Sequence, residues 1–187
     1  MKSVFIALRV SLFFMIVCGL IYPLATTGVA QVLFPKQADG SLIESNGTVI
    51  GSELLAQSFE SPKLFHPRAS TANYDPKASV GSNMAVASSD YAAAIAEKID
   101  ALKQENPALT EIPADLVTMS GSGFDPDVSP EAAKAQVPRI SKETGIAENK
   151  LNDLVDQLTK ARQLGVFGEP RVNVMALNIE LLKQVKL

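Results

Sequence analysis

The stretch DLVTMSGSGFDPDVSPEAAKAQVPRIS, residues 115–141, gathers the densest set of side chains with chemical potential. Ser120-Gly121-Ser122-Gly123 supplies hydroxyls on a pliable backbone, and Asp125-Pro126-Asp127 adds two carboxylates beside them. A serine nucleophile on a strained elbow needs G-x-S-x-G; around Ser122 that pattern fails, because position 120 is serine. No G-x-x-x-x-G-K-[ST] phosphate loop occurs. A nest of backbone N–H groups at residues 120–123 could hold an anion, but Asp125 and Asp127 would repel one. The plainer reading is a tight turn feeding a helix cap.

His66 is the only histidine. It is either the general base of a hydrolase acting on Ser70 or Ser122, or a hydrogen-bonding residue of a polar loop. Zinc is poorly served, since the single cysteine, Cys18, lies in an apolar run far from any polar cluster. Asp125, Asp127 and Glu131 are hard oxygen ligands of the kind calcium or potassium takes, without the spacing of an EF-hand; solvated acids at a helix start are the plainer account. Arg68, Arg139, Arg162 and Arg171 stand singly and read as ties for loops. No metal or cofactor of its own is expected.

These residues need a scaffold. Residues 37–51 are polar and close on a short strand at 48–51, while 51–59 leaves strand and helix open. Residues 61–89, rich in proline, glycine, serine and asparagine, predict a long ordered loop. Residues 89–104 predict a helix capped by Ser88 or Ser89, with Tyr91, Ile95, Ile99 and Leu102 as its buried stripe and Pro107 closing it. Residues 112–118 read as a short strand. Ser129 then caps a helix with Pro130 in first position, ending by Pro138. A further helix is expected from 148 to about 164, burying Leu151, Leu154, Val155, Leu158 and Ala161, stapled by Ile146 and ended by Gly165. Residues 171–186 predict a short strand passing into a helix.

Residues 10–35 form an uncharged run between Arg9 and Lys36. A membrane-spanning helix needs about 20 mostly apolar residues, and the run supplies them. Only Lys2 and Arg9 precede it, so the N-terminus is expected in the cytoplasm and the bulk of the chain outside. The expected organisation is a cytoplasmic N-terminus at 1–9, a transmembrane helix at 10–33 and an extracytoplasmic domain at 34–187. The alternative is a secretory signal cleaved after Ala30. Beyond the run lie 15 basic and all 20 acidic residues, a formal charge of −5, which argues against nucleic acid as a partner. The fold class expected is therefore α+β: one N-terminal transmembrane helix followed by a single small extracytoplasmic α+β domain.

Taken in order along the chain, the motifs resemble the C subunit of the Kdp-type potassium-transporting ATPase. The resemblance rests on the N-terminal span, Gly51-Ser52 with Gln57 and Phe59, Phe65-His66-Pro67-Arg68 with Ser70, Tyr74, and Gly81-Ser82-Asn83. It continues through Asp115-Leu116-Val117-Thr118, Ser120 to Gly123, Asp125-Pro126, Gln136-Val137 and Arg139, and closes on Leu164-Gly165 and Gly168-Glu169-Pro170-Arg171-Val172-Asn173-Val174. Ala69 stands where the family usually has proline, and Met84 to Ser89 replace its usual Pro-Ser element.

The resemblance implies a non-catalytic subunit of a high-affinity potassium pump in the cell (inner) membrane. Its partners would be a channel-like potassium-binding subunit, a P-type ATPase subunit and a small fourth subunit. The family's C subunit is described as a chaperone raising the ATPase subunit's affinity for ATP, so ATP would enter only through that partner. The residues implied at a partner interface are Gln57, Phe59, His66, Arg68, Asn83, Ser120, Gly121, Ser122, Gly123, Asp125, Arg139, Glu169, Arg171 and Asn173. An exported serine hydrolase built on His66 and a released ligand-binding protein are the competing readings.

Overall fold

The computed structural model describes residues 2–107 and 109–184. The last residues of the segment expected to end at 186 therefore lie outside the described part. The chain divides into two compact units, Met1–Ile50 and Gly51–Leu187.

The first unit opens with helix α1, Lys2–Ile16, and helix α2, Tyr22–Leu33, joined without a break by a single π-helical turn at Val17–Ile21. Proline at 23 has no N–H to give and crowds the carbonyl four residues back. The wider turn absorbs that conflict, with the Tyr22 N–H reaching back to the Val17 carbonyl and Thr26 Oγ1 donating to the Tyr22 carbonyl at 2.9 Å. Together the residues Lys2–Leu33 make one helix long and apolar enough to cross a membrane, with its large apolar side chains exposed. A short helix α3, Pro35–Ala38, follows. Strands β1, Leu42–Ser45, and β2, Thr48–Ser52, then form a hairpin about Asn46-Gly47, both at positive φ as a tight two-residue turn requires.

In the second unit, residues 53–88 contain neither helix nor strand. Helix α4, Ser89–Glu105, is capped by Ser88, whose hydroxyl accepts from the Tyr91 N–H. Its expected stripe is present but only half-buried; no residue of α4 is fully buried. Residues 114–117, expected as strand, form the short helix α5, Ala114–Val117. Pro113 precedes it and Asp115 suits its first turn, and four residues are too few for a period to distinguish strand from helix.

Strand β3, Asp127–Val128, leads through the Ser129 cap into helix α6, Pro130–Ala135. Helix α6 ends before Pro138, as expected, and Pro138 itself sits in the first turn of a further helix α7, Val137–Thr144, where its missing N–H costs nothing. Gly145, at φ +76, closes α7 in the left-handed conformation.

Helix α8, Glu148–Leu158, buries Leu151, Leu154 and Val155 but stops six residues before the expected end. Thr159 and Lys160 instead form strand β4, leaving Ala161 exposed. Gly165 does take positive φ, but as part of a projecting turn, not as a helix cap. Strand β5, Arg171–Asn173, passes directly into helix α9, Val174–Gln184. The sheet has the order β3-β5-β4, antiparallel throughout. Its inner face and helices α6 to α9 enclose one core, including Val128, Ile140, Leu151, Val155, Val172, Leu177 and Leu181, with Ile146 packed against it. Each such aliphatic side chain contributes about 1.5–3 kcal/mol on burial.

Candidate functional site

Phe65 is the residue of the long loop that enters the hydrophobic core most deeply, fully buried, with Phe59 and Leu64 packed against the same core. A loop backbone drawn inward carries polar groups that must be satisfied. Asn178 of α9 supplies both partners: its Oδ1 accepts from the Phe65 N–H at 2.8 Å and its Nδ2 donates to the Phe65 carbonyl at 2.9 Å. Gln136 does the same for the next residue, accepting from the His66 N–H at 2.8 Å and donating to the His66 carbonyl at 3.1 Å. Two side-chain amides thus stand in for neighbouring strands. Arg139 extends the clamp, donating to the carbonyls of Pro62 and Leu64 and to Gln136 Oε1.

Beside this clamp lies a cleft of about 240 Å³, lined among others by Phe59, His66, Tyr74, Glu105 and Arg139. The His66 ring bonds through Nε2 to the Ser61 carbonyl at 3.0 Å. Burial holds its pKa below the ordinary value, with Arg139 pushing the same way and the Ser61 carbonyl and Glu105 opposing. Burial also lowers the Arg139 pKa, against the pull of Glu105 and Glu143. The Tyr74 hydroxyl donates to the Arg68 carbonyl, and burial raises its pKa.

The Ser-Gly turn is the second focus. Ser120 is buried, and its Oγ accepts from the N–H groups of Gly123 and Asp125 at 3.1 and 3.3 Å. Ser122 Oγ accepts from the Phe124 N–H and lies 3.1 Å from Ser120 Oγ. The turn's own hydroxyls therefore occupy the donors that an anion cradle would use at Gly123, Phe124 and Asp125. Ser70, far from being paired with His66, donates to the Gly123 carbonyl and accepts from the N–H groups of Ala72 and Tyr74. The Ala69 carbonyl accepts from Ser120 N–H, and the Ser122 carbonyl from Val80 N–H, so the long loop and the turn interlock. Gly123, at φ +81, is the point of closest approach: a Cβ there would meet the Val80 oxygen at 2.9 Å.

The carboxylates and arginines of these segments pair with one another. Arg68 reaches Asp125 at 3.2 Å and also Thr118 Oγ1 and the Met119 carbonyl. Arg171 meets Asp127 at 3.0 Å, and Asn173 Nδ2 donates to the Glu53 carbonyl and to Asp127. Of the residues the sequence nominates, Phe59, His66 and Arg139 meet at the cleft, and Arg68, Ser120, Ser122, Gly123 and Asp125 meet at the turn, with Gly121 exposed on its outside. Arg171 and Asn173 share Asp127, and Gln57 lies beside Gly51. Asn83, exposed at φ +51, and Glu169, exposed and paired with Arg162, join neither focus. Gln136 and Asn178 carry the clamp. Gln136 stands in the resembling motif without having been assigned a role, and Asn178 has no local signal at all, because each acts on a residue 70 or 113 positions away.

The chain thus carries one long apolar helix and an α+β unit whose polar side chains brace its own loops. The chain matches the family model described as K+-transporting ATPase, c chain, over residues 4–183. It is 47% identical over 182 residues to the potassium-transporting ATPase KdpC subunit of Bacillus mycoides (strain KBAB4), covering 96% of this chain and 94% of that protein. The KdpC subunit of Bacillus cereus (strain B4264) is 48% identical over the same extent, and that of Caldanaerobacter subterraneus subsp. tengcongensis 44% over 181 residues, again 96% of this chain and 94% of the relative. The chain belongs to the KdpC family, the c chain of potassium-transporting ATPases.

Proposed function

We propose that this chain serves as a non-catalytic accessory subunit of an ATP-driven potassium uptake complex in the cell (inner) membrane. The helix Lys2–Leu33 is the anchor, with the N-terminus cytoplasmic and residues 34–187 outside. The observation that carries the reading is that helix: a long exposed apolar rod joined to a module that buries its own core needs a bilayer or partner helices around it. The partners are the channel-like potassium-binding subunit, the P-type ATPase subunit and the small fourth subunit. The exposed parts of the interlocked loop and turn, Gly121 and Asn83 among them, form the surface offered to them, with the buried Ser120 and Gly123 shaping it from beneath.

In this topology the outer domain and cytoplasmic nucleotide are on opposite sides of the membrane. An effect on ATP affinity then passes through the anchor or through partner conformations as a coupling free energy, and ATP itself is held by the ATPase subunit. The arrangement of the serine hydroxyls supports the non-catalytic reading, since Ser70 and Ser122 hold backbone groups in place and the His66 ring is turned to a carbonyl.

The test is purification in mild detergent through a C-terminal tag. Three companions should co-elute, one of them carrying the phosphorylation sequence D-K-T-G, and removing this chain should raise the ATP concentration needed for half-maximal hydrolysis. A chain that elutes alone, or that turns over an ester unaided, overturns the proposal.

A further inference from the structure

Residues 160–170 project from the β4–β5 pair and every one of them is exposed. At the tip stand three large apolar side chains, Leu164 at 90% exposure, Val166 at 70% and Phe167 at 63%. The core of this unit closes without them. A water-facing turn has no reason to carry such a cluster, whereas one that meets an apolar phase does.

Three independent features point to lipid as that phase. The first is hydrogen bonding. The Gln163 N–H donates to the Phe167 carbonyl at 2.8 Å, the Phe167 N–H to the Gln163 carbonyl at 2.9 Å, the Gly165 N–H to the Arg162 carbonyl and the Val166 N–H to the Gln163 carbonyl. The tip thus satisfies four of its donors within itself, which lowers the cost of bringing it into the partly hydrated headgroup layer, where water still reaches the rest.

The second feature is charge. Residues 157–168 contain Lys160 and Arg162 and no acid, with Asp156 and Glu169 at either end, a locally basic stretch on a domain that is negative as a whole. Lys160 is placed directly opposite Arg171 in the β4–β5 register, a like-charge pairing that is unfavourable in water alone and favourable under an anionic surface. Asp127 on Arg171 and Glu169 on Arg162 temper this without reversing the sign. An apolar knuckle flanked by cations is the pattern of interfacial membrane contacts. The third feature is the tether: a domain anchored by a membrane helix always has a lipid surface within reach, so a weak contact is effectively intramolecular.

We infer that the Leu164–Val166–Phe167 tip inserts into the headgroup region of an anionic bilayer, steadying the domain against the membrane. The inference rests on the anchoring role given to Lys2–Leu33.

The chain has no tryptophan, so one introduced residue reports its own surroundings. The full chain carrying Phe167→Trp is reconstituted in vesicles of phosphatidylglycerol, and separately of phosphatidylcholine, with bromine placed near the glycerol end of the acyl chains. Expected are a blue-shifted emission and loss of intensity to bromine in phosphatidylglycerol, weaker in phosphatidylcholine, and abolished by adding Leu164→Asp and Val166→Asp. Phe14→Trp in the anchor is the companion reporter. Quenching at 14 with none at 167 overturns the inference and leaves the anchor standing, whereas no quenching at either position removes the anchor itself. A shift at 167 that appears only when the other subunits are present also overturns it, and assigns the tip to a protein surface.

Discussion

The loop over residues 53–88 and the tip over 160–170 are both irregular, yet they satisfy their backbones in opposite ways. The loop borrows: Asn178, Gln136 and Arg139 reach from helices to hold the Pro62–His66 backbone, and Ser120 and Gly123 hold the segment after it. The tip relies on its own turn. A borrowed solution ties the segment to the fold, burying Phe65 and Pro67, and makes it part of the fold's stability. A self-contained one leaves the segment free to meet something outside. The contrast teaches that irregular backbone alone says nothing about function; where its hydrogen bonds go says a good deal.

The sharpest way to break this contrast is at Asn178. Replacing it with alanine leaves the Phe65 N–H and carbonyl without partners inside the core, at about 1–3 kcal/mol for each orphaned group. Asn178→Ala should therefore lower stability by about 2–6 kcal/mol, a large share of the 5–15 kcal/mol typical of a domain. Val166→Ser in the tip should change it by no more than about 0.5 kcal/mol. Urea titration of the detergent-solubilised chain, followed by circular dichroism, measures both. Equal losses at the two sites would erase the distinction.

A finer test divides the two glycines of the Ser-Gly turn. At Gly123 the backbone is left-handed, and an added methyl would press on the Val80 oxygen and on Ala72 Cβ at 3.0 Å. Gly123→Ala should cost about 1–3 kcal/mol through strain and displacement of the loop. At Gly121 a Cβ meets nothing within 4 Å, so Gly121→Ala should stay within about 0.5 kcal/mol. The same urea titration decides. A Gly121 variant as damaging as the Gly123 variant would mean that flexibility of the turn, not its contact with the loop, is what the sequence preserves there.

The elements readable from sequence were those with local punctuation. Ser88 and Ser129 announce their helices because a hydroxyl cap acts two or three residues away. The β5-to-α9 passage shows in a change of period at Val174. Asn46-Gly47 was an equally local hairpin signal, and it would have extended the reading from one strand to two. Residues 112–118 mislead because the four-residue helix within them, Ala114–Val117, carries no period, and 159–160 because β4 is decided by pairing with β5, a tertiary choice that overrides the helical pattern running into it. The arginines were legible as loop ties by type but not by partner. Asn178 was illegible altogether: an asparagine in an apolar helix looks like a blemish until Phe65 is brought to it from 113 residues away.

The smallest effect lies in pH, and it belongs to the borrowed side of the contrast alone, since His66 is the only histidine and the tip has no group titrating near neutrality. Burial keeps the folded pKa of His66 below the ordinary 6.5, Arg139 adding to the depression, while the Ser61 carbonyl and Glu105 pull it back. Below pH 6.5 the unfolded chain therefore binds a proton that the native loop resists, and stability must fall as pH drops from about 7 through this range. The fall levels off once the native state also protonates. Above pH 7 both states are neutral at this ring and the contribution vanishes. His66→Gln keeps a neutral donor for the Ser61 carbonyl and removes the titration, so its stability should be flat across that window, apart from the carboxylates that protonate at lower pH. Urea midpoints of the two chains at a series of pH values between 7.5 and about 5.5 give the comparison directly. Parallel curves would mean that the ring is solvated in the native state, and that the His66 end of the clamp is as open as the tip.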